Sequence, residues 1–86
     1  MRVLVCGGRD WTNKCLIRAH LASIPNLELI IQGSARGADK LAGEVASELG
    51  IPVRRFPADW ARYGKAAGMI RNRQMLDEQP DLVLAF

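Results

Sequence analysis

The sequence is poor in cysteine, has a single histidine and has no long apolar run, and each scarcity removes a class of chemistry. Cys6 and Cys15 form neither a C-x-x-C pair nor a disulfide framework. One ends an expected strand and the other lies in an expected helix, which predicts two buried, reduced thiols. His20 alone leaves no metal-ligand set and no nucleophile–histidine–acid triad, and it reads as a packed or half-exposed helix residue. No metal and no cofactor is expected. The longest apolar stretch, 82–86, falls far short of the ~20 residues that a spanning helix needs, so no membrane partner is expected. Residues 1–6 lack the length and flanks of a signal peptide, and too little hydrophobic sequence precedes Cys6 for a lipoprotein anchor. The expectation is a cytoplasmic protein. Two generic nucleotide motifs are missing as well. Gly7-Gly8 is not G-x-G-x-x-G, and Gly64-Lys65 lacks the upstream glycine and the following Ser/Thr of a P-loop.

What remains is enough for one core. The 86 residues are 49% hydrophobic and 24% charged, which suits a single globular domain with no linker, repeat or low-complexity tract. The net charge of +3 is modest but uneven. Arg54, Arg55, Arg62, Lys65, Arg71 and Arg73 face only Asp59 in residues 54–73, whereas Asp77, Glu78 and Asp81 follow without a cation. Such an excess suits an anionic small molecule or a nucleic acid, and it equally suits a solvated face.

Hydrophobic periodicity organises the chain. Residues 2–6 read as a first strand, apolar through its middle as in a strand covered on both faces. A helix capped by Asp10 or Thr12 then runs to about Ile24, with Leu16, Ile17, Leu21 and Ile24 as its apolar face. A second strand is expected over 27–32 and a second helix over 40–50, whose apolar positions 41, 42, 45, 46 and 49 have helical spacing. Gly50 is placed to cap it. Residues 52–56 form a short third strand, expected at an edge because it carries two arginines. A long connection over 57–68, with a helical turn near 59–62, leads to a third helix over 67–78 and a fourth strand over 81–86. The order βαβαβαβ predicts an α/β, Rossmann-like three-layer sandwich. Its parallel sheet has order 3-2-1-4, and a crevice opens where strands 1 and 4 diverge.

Two places in this plan carry chemistry. The turn Gly33-Ser34-Ala35-Arg36-Gly37-Ala38-Asp39 joins a strand to a helix through glycines and small residues. Unpaired N–H groups and the positive end of the helix dipole suit a phosphate or carboxylate there, with Arg36 beside them. The same glycines also serve a tight packing turn in which Asp39 only complements the dipole. In the third helix, Met69, Asn72 and Leu76 fall on one face, putting an amide in an apolar stripe. A buried amide needs partners, so Asn72 either meets a ligand near the crevice or pins the 57–68 loop.

Four stretches together resemble a known family. They are Cys6-Gly7-Gly8-Arg9-Asp10-Trp11, Gln32-Gly33-Ser34-Ala35-Arg36-Gly37-Ala38-Asp39, Phe56-Pro57-Ala58-Asp59-Trp60, and the run from Gly64-Lys65-Ala66-Ala67-Gly68 through Met69-Ile70-Arg71-Asn72-Arg73-Gln74-Met75. In this order they resemble the YspA-like, cpYpsA-related branch of the SLOG superfamily, which also holds the lonely-guy phosphoribohydrolases and the Rossmann-like domain of DprA. The resemblance implies a Rossmann-like domain that binds nucleotides or nucleotide-derived signals, often in phage or bacteria. Met69 stands where the branch usually has proline, a small loss at a helix opening. The branch continues past its fourth strand into a glycine turn and a further helix. The expectation is therefore one domain over 1–86 that lacks those parts, with an exposed sheet edge that favours self-association.

Three functions follow as expectations. In the first, a nucleotide or nucleotide-derived small molecule is bound, as a sensor domain would bind its signal. Gly7, Gly8, Gly33, Ser34 and Gly37 would admit its phosphate or ribose closely, and Arg9, Arg36, Arg71 and Arg73 would surround the charge. Asn72 and Asp39 would hydrogen-bond ribose or base, and Trp11 or Trp60 would wall the base or else pack in the core. In the second, a nucleotide N-glycosidic bond is hydrolysed, with Asp39 or Asp10 as the carboxylate. The third is nucleic-acid binding through the 54–73 cations, as in DprA, although only Trp60 and Tyr63 interleave with them.

Overall fold

A computed structural model describes residues 1–34 and 36–86; Ala35, one of the small residues of the glycine turn, lies outside them. The elements are β1 (Arg2–Cys6), α1 (Lys14–Ala22), β2 (Leu29–Gln32), α2 (Ala38–Leu49) and β3 (Val53–Arg55). After them come the short α3 (Trp60–Tyr63), a 3-10 turn (Gly64–Ala66), α4 (Ala67–Asp77) and β4 (Leu82–Ala85). The strands pair in parallel in the order β3-β2-β1-β4, so the architecture is the expected α/β, Rossmann-like one. No helix among the described residues is long and apolar enough to cross a membrane.

Local signals set most of the boundaries. Helix α1 opens at Asn13, whose side chain accepts from the Leu16 N–H at 3.1 Å, so the cap lies downstream of Asp10 and Thr12. Helix α2 closes at Gly50, which takes φ +71° and donates its N–H to carbonyls of the last turn. Asp59 caps α3 by accepting from the Arg62 N–H at 3.1 Å.

The period-two alternation of β1 divides the core between two faces. Val3 and Val5 point with Ile30 toward α1 and α2, where Ile17, Leu21, Ala38, Ala42, Val45 and Ala46 close over them. Leu4 points the other way and packs with Ile31 against Met75 of α4, with Cys6, Leu29 and Phe56 around them. Cys15 is exposed and Cys6 half-buried, so the expected pair of buried thiols is corrected: α1 turns Ile17 and Leu21 inward and Cys15 outward. His20 is exposed too, its ring centroid 5.7 Å from that of Phe86 in an edge-on arrangement.

Helix α4 is rotated from the expected orientation. Met69 and Leu76 are 78% and 57% exposed, and Asn72 is exposed with them. The inward stripe is Ala67, Arg71 and Met75, spaced at i, i+4 and i+8. Its polar member is therefore Arg71. At the amino end of the sheet Arg54 pairs with Glu78, which Arg2 also approaches at 3.8 Å. The 54–73 cations are thus divided: Arg54 pairs with Glu78 at the carboxyl end of α4, whereas Arg71 lies in its first half.

Candidate functional site

The expected crevice between the carboxyl ends of β1 and β4 is bridged by the chain itself. Gly8 donates its N–H to the Phe86 carbonyl at 3.1 Å, and the Phe86 N–H returns to Cys6 at 3.0 Å. A Cβ on Gly7 would lie 2.7 Å from the Phe86 carbonyl oxygen and 2.9 Å from Ala38 Cβ, so this glycine serves close packing. Trp11 belongs to the same plug: its ring lies 5.6 Å from Phe86, and its Nε1–H donates to the Asn13 carbonyl at 3.1 Å. Open space gathers one strand over, around the end of β2.

There a cavity of about 550 Å³ is lined by Arg9, Gly33, Ser34, Arg36, Pro57, Ala58, Trp60 and Arg71. Arg9 arrives from the loop after β1, Ser34 and Arg36 from the turn after β2, Trp60 from α3, and Arg71 from the inward stripe of α4. Arg71 is the best-held of the three guanidinium groups. It donates from Nη1 to the Gly33 carbonyl at 2.8 Å and from Nε to Asn72 Oδ1 at 2.9 Å. A Cβ on Gly33 would lie 2.7 Å from Arg71 Cζ, so the bare Cα of Gly33 is what allows this seat. Arg36 is 73% exposed and stands 3.6 Å from an almost fully exposed Asp10, a surface pair that holds it loosely. Trp60 is 53% exposed, its ring 3.6 Å from where a Cβ on Gly68 would stand, and so presents an indole face at the rim. Ser34 has φ +58°, which costs a non-glycine residue roughly 1–2 kcal/mol. Strain of that kind gathers where the surroundings over-determine a backbone.

The remaining expected residues do other work. Gly37, at φ +76°, fits against the first loop: a Cβ there would meet Gly8 O and the Arg9 carbonyl. The Ala38 N–H donates to Gly8 O at 3.2 Å, and Asp39 Oδ2 accepts from the Gly33 N–H at 3.2 Å. Two amides expected to cradle a phosphate are therefore engaged within the protein. Asp39, only 7% exposed, does not line this cavity; burial pushes the Cys6 thiol up, and the Asp39 charge adds to that shift. Asp10 is absent from the same lining, so no carboxylate lines the cavity among the described residues. Asn72 orients Arg71, and Arg73 is exposed outside the cavity. Sequence reasoning missed Pro57 and Ala58 as lining groups, although their position between β3 and α3 places them at the sheet's carboxyl edge.

A profile of the YspA, cpYpsA-related SLOG family matches residues 1–63. The chain belongs to this family. It is similar to the Gene 61 protein of Mycobacterium phage D29, at 33% identity over 94 residues, covering 99% of this chain and 75% of that protein. No solved structure matches the chain. The profile takes in Arg9, Gly33, Ser34, Arg36 and Trp60 of the cavity, while Arg71 lies beyond the matched residues.

Proposed function

We propose that this SLOG-family domain binds a phosphorylated, nucleotide-derived small molecule in the cavity at the end of β2. The observation that carries the reading is the meeting of Arg9, Arg36 and Arg71 around a space that no carboxylate lines among the described residues. A guanidinium fork suits phosphate oxygens geometrically, and the two bonds that hold Arg71 leave it pre-oriented. The exposed Trp60 ring offers a stacking face for a base. The absence of a lining carboxylate favours binding over glycosidic hydrolysis, which needs an acid or base beside the scissile bond.

Isothermal titration with AMP and ADP-ribose tests this reading. Binding of either should weaken at least roughly tenfold in Arg71→Ala, the scale of one lost charge-assisted contact. No heat with either ligand, or an Arg71→Ala variant that binds as the parent does, overturns it.

A further inference from the structure

Across the ridge that Ser34 and Arg36 form lies a second cleft, of about 440 Å³, between α2 and the edge strand β3. Its lining is Gln32, Ser34, Arg36, Lys40, Gly43, Glu44, Ser47 and Arg55, so Ser34 and Arg36 border both spaces. Gln32 is the unusual member. Its side chain is 1% exposed, and its Oε1 accepts from the Ser34 N–H at 3.3 Å. An N–H can only donate, so the oxygen must face the turn and the amide nitrogen must face the helix. That nitrogen lies 2.7 Å from where a Cβ on Gly43 would stand, and Arg55 Nη2 lies 3.3 Å from the same point. Two donors thus converge over the bare Cα of a glycine in the middle of a helix. Glycine there costs about 1 kcal/mol of helix propensity relative to alanine, and what it gains is room for these two groups. Among the described residues, Arg55 and Lys40 have no ion-pair partner, whereas Glu44 is drawn toward Lys14 at 3.4 Å. The cleft is rich in donors and holds an excess of positive charge.

We propose that this cleft is a second anion-binding subsite. The ligand accordingly carries two separated anionic groups, one against Arg9 and Arg71, the other against Gln32, Lys40 and Arg55, with Arg36 on the ridge between. This is the chemistry of a nucleoside bisphosphate or of a dinucleotide with a terminal phosphate. The inference rests on the reading of the first cavity, and it adds the requirement for a second charge.

Titration calorimetry of the whole chain at fixed ionic strength, with AMP, adenosine 3′,5′-bisphosphate and the dinucleotide pApA, tests it. At least one of the two larger ligands should bind roughly ten- to a hundredfold more tightly than AMP, the worth of one or two charge-assisted contacts. Arg55→Ala and Lys40→Ala should each remove most of that gain and leave AMP affinity unchanged. Lys65→Ala, which removes a positive charge outside both clefts, should leave the gain in place. Whichever larger ligand shows the gain identifies the source of the second charge. Equal affinity for all three ligands overturns the second subsite while leaving the first reading intact. So does an Arg55→Ala variant that weakens AMP as much as the larger ligands, or a gain lost equally in Lys65→Ala. If none of the three binds, both readings fall.

Discussion

On one face of the sheet, Ile17 and Leu21 of α1 and Ala42, Val45 and Ala46 of α2 close completely over Val3, Val5 and Ile30. On the other, α4 buries Met75 against Leu4 and Ile31, while its Leu76 and Met69 stand in solvent and Val83 of β4 is 49% exposed. The difference follows from what each helix is asked to present. Helices α1 and α2 present small and branched apolar groups, so they sit close. Helix α4 gives an inward position to Arg71, whose charge must keep hydrogen-bond partners and an opening to water. Stability is concentrated on one side of the sheet, and the seat of Arg71 in the first cavity lies on the other. That division can be broken by mutation. Leu21→Ala should cost about 3 kcal/mol, in the usual range for a large core deletion, and Met75→Ala nearer 2 kcal/mol, because the thinner layer can collapse or admit water. Leu76→Ala should stay within about 0.5 kcal/mol. Urea unfolding of the three variants measures the order, and a Met75→Ala cost equal to or above that of Leu21→Ala would show the faces to be equivalent.

The same contrast is sharpened by two glycines of one turn. Gly37 meets backbone: alanine there must tolerate φ +76° and a Cβ against Gly8 O and the Arg9 carbonyl. Gly8 O is held by the Trp11 and Ala38 N–H groups, and both carbonyls are backbone groups that cannot swing aside as a side chain can, so Gly37→Ala should cost at least about 2 kcal/mol of stability. Gly33 meets the far end of Arg71, a flexible side chain, and its replacement displaces the guanidinium instead. Gly33→Ala should therefore cost less, about 1 kcal/mol, yet weaken the binding of AMP or ADP-ribose about as much as Arg71→Ala does. Thermal melts and calorimetry on the two variants separate these effects. If Gly33→Ala proves the more destabilising, the Arg71 seat is structural before it is functional.

These particulars mark how far the sequence could be read. The strand order, the parallel pairing and the Gly50 cap were legible because each rests on local chemistry or on handedness: apolar runs, a glycine after the last periodic residue, right-handed crossovers. The orientation of α4 was not. With Ala67, Met69, Ile70, Met75 and Leu76 spread round the helix, two apolar stripes compete. The choice falls to Arg71 finding the Gly33 carbonyl, a contact 38 residues away in sequence. The open space lies one strand from the expected crevice for a similar reason. Gly7-Gly8 and Gly37 resemble ligand cradles, but each uses its missing side chain to receive another backbone segment, and sequence does not say which neighbour a glycine has made room for. The α2–β3 cleft did leave a signal, in Gln32 ending an apolar strand and Gly43 interrupting a helix, which had meaning only once the two were known to touch.

The smallest expected effect uses the two thiols as reporters of the two sides. Cys6 borders the thin layer next to Leu4, and Cys15 lies on the outer surface of α1. Burial raises the Cys6 thiol above its ordinary 9.0, and the nearby Asp39 adds to the shift. The folded state therefore keeps this proton at a pH where the unfolded chain has released it. Stability is fully present below about pH 9.0 and declines as the pH rises toward the higher folded value. Lys14, held above its usual 10.5 by its hydrogen bond to Glu48, keeps its charge through this window and does not confuse the trend. Comparing urea midpoints of the parent and Cys6→Ala between pH 8 and pH 10 should show the parent losing slightly more stability. At pH 8, iodoacetamide should modify Cys15 well before Cys6, since a buried, protonated thiol is a poor nucleophile. Dilute urea should raise the Cys6 rate before global unfolding if the α4 layer opens first. A Cys6 rate that rises only with the global transition would mean that the sheet's two coverings come apart together, whatever their unequal packing.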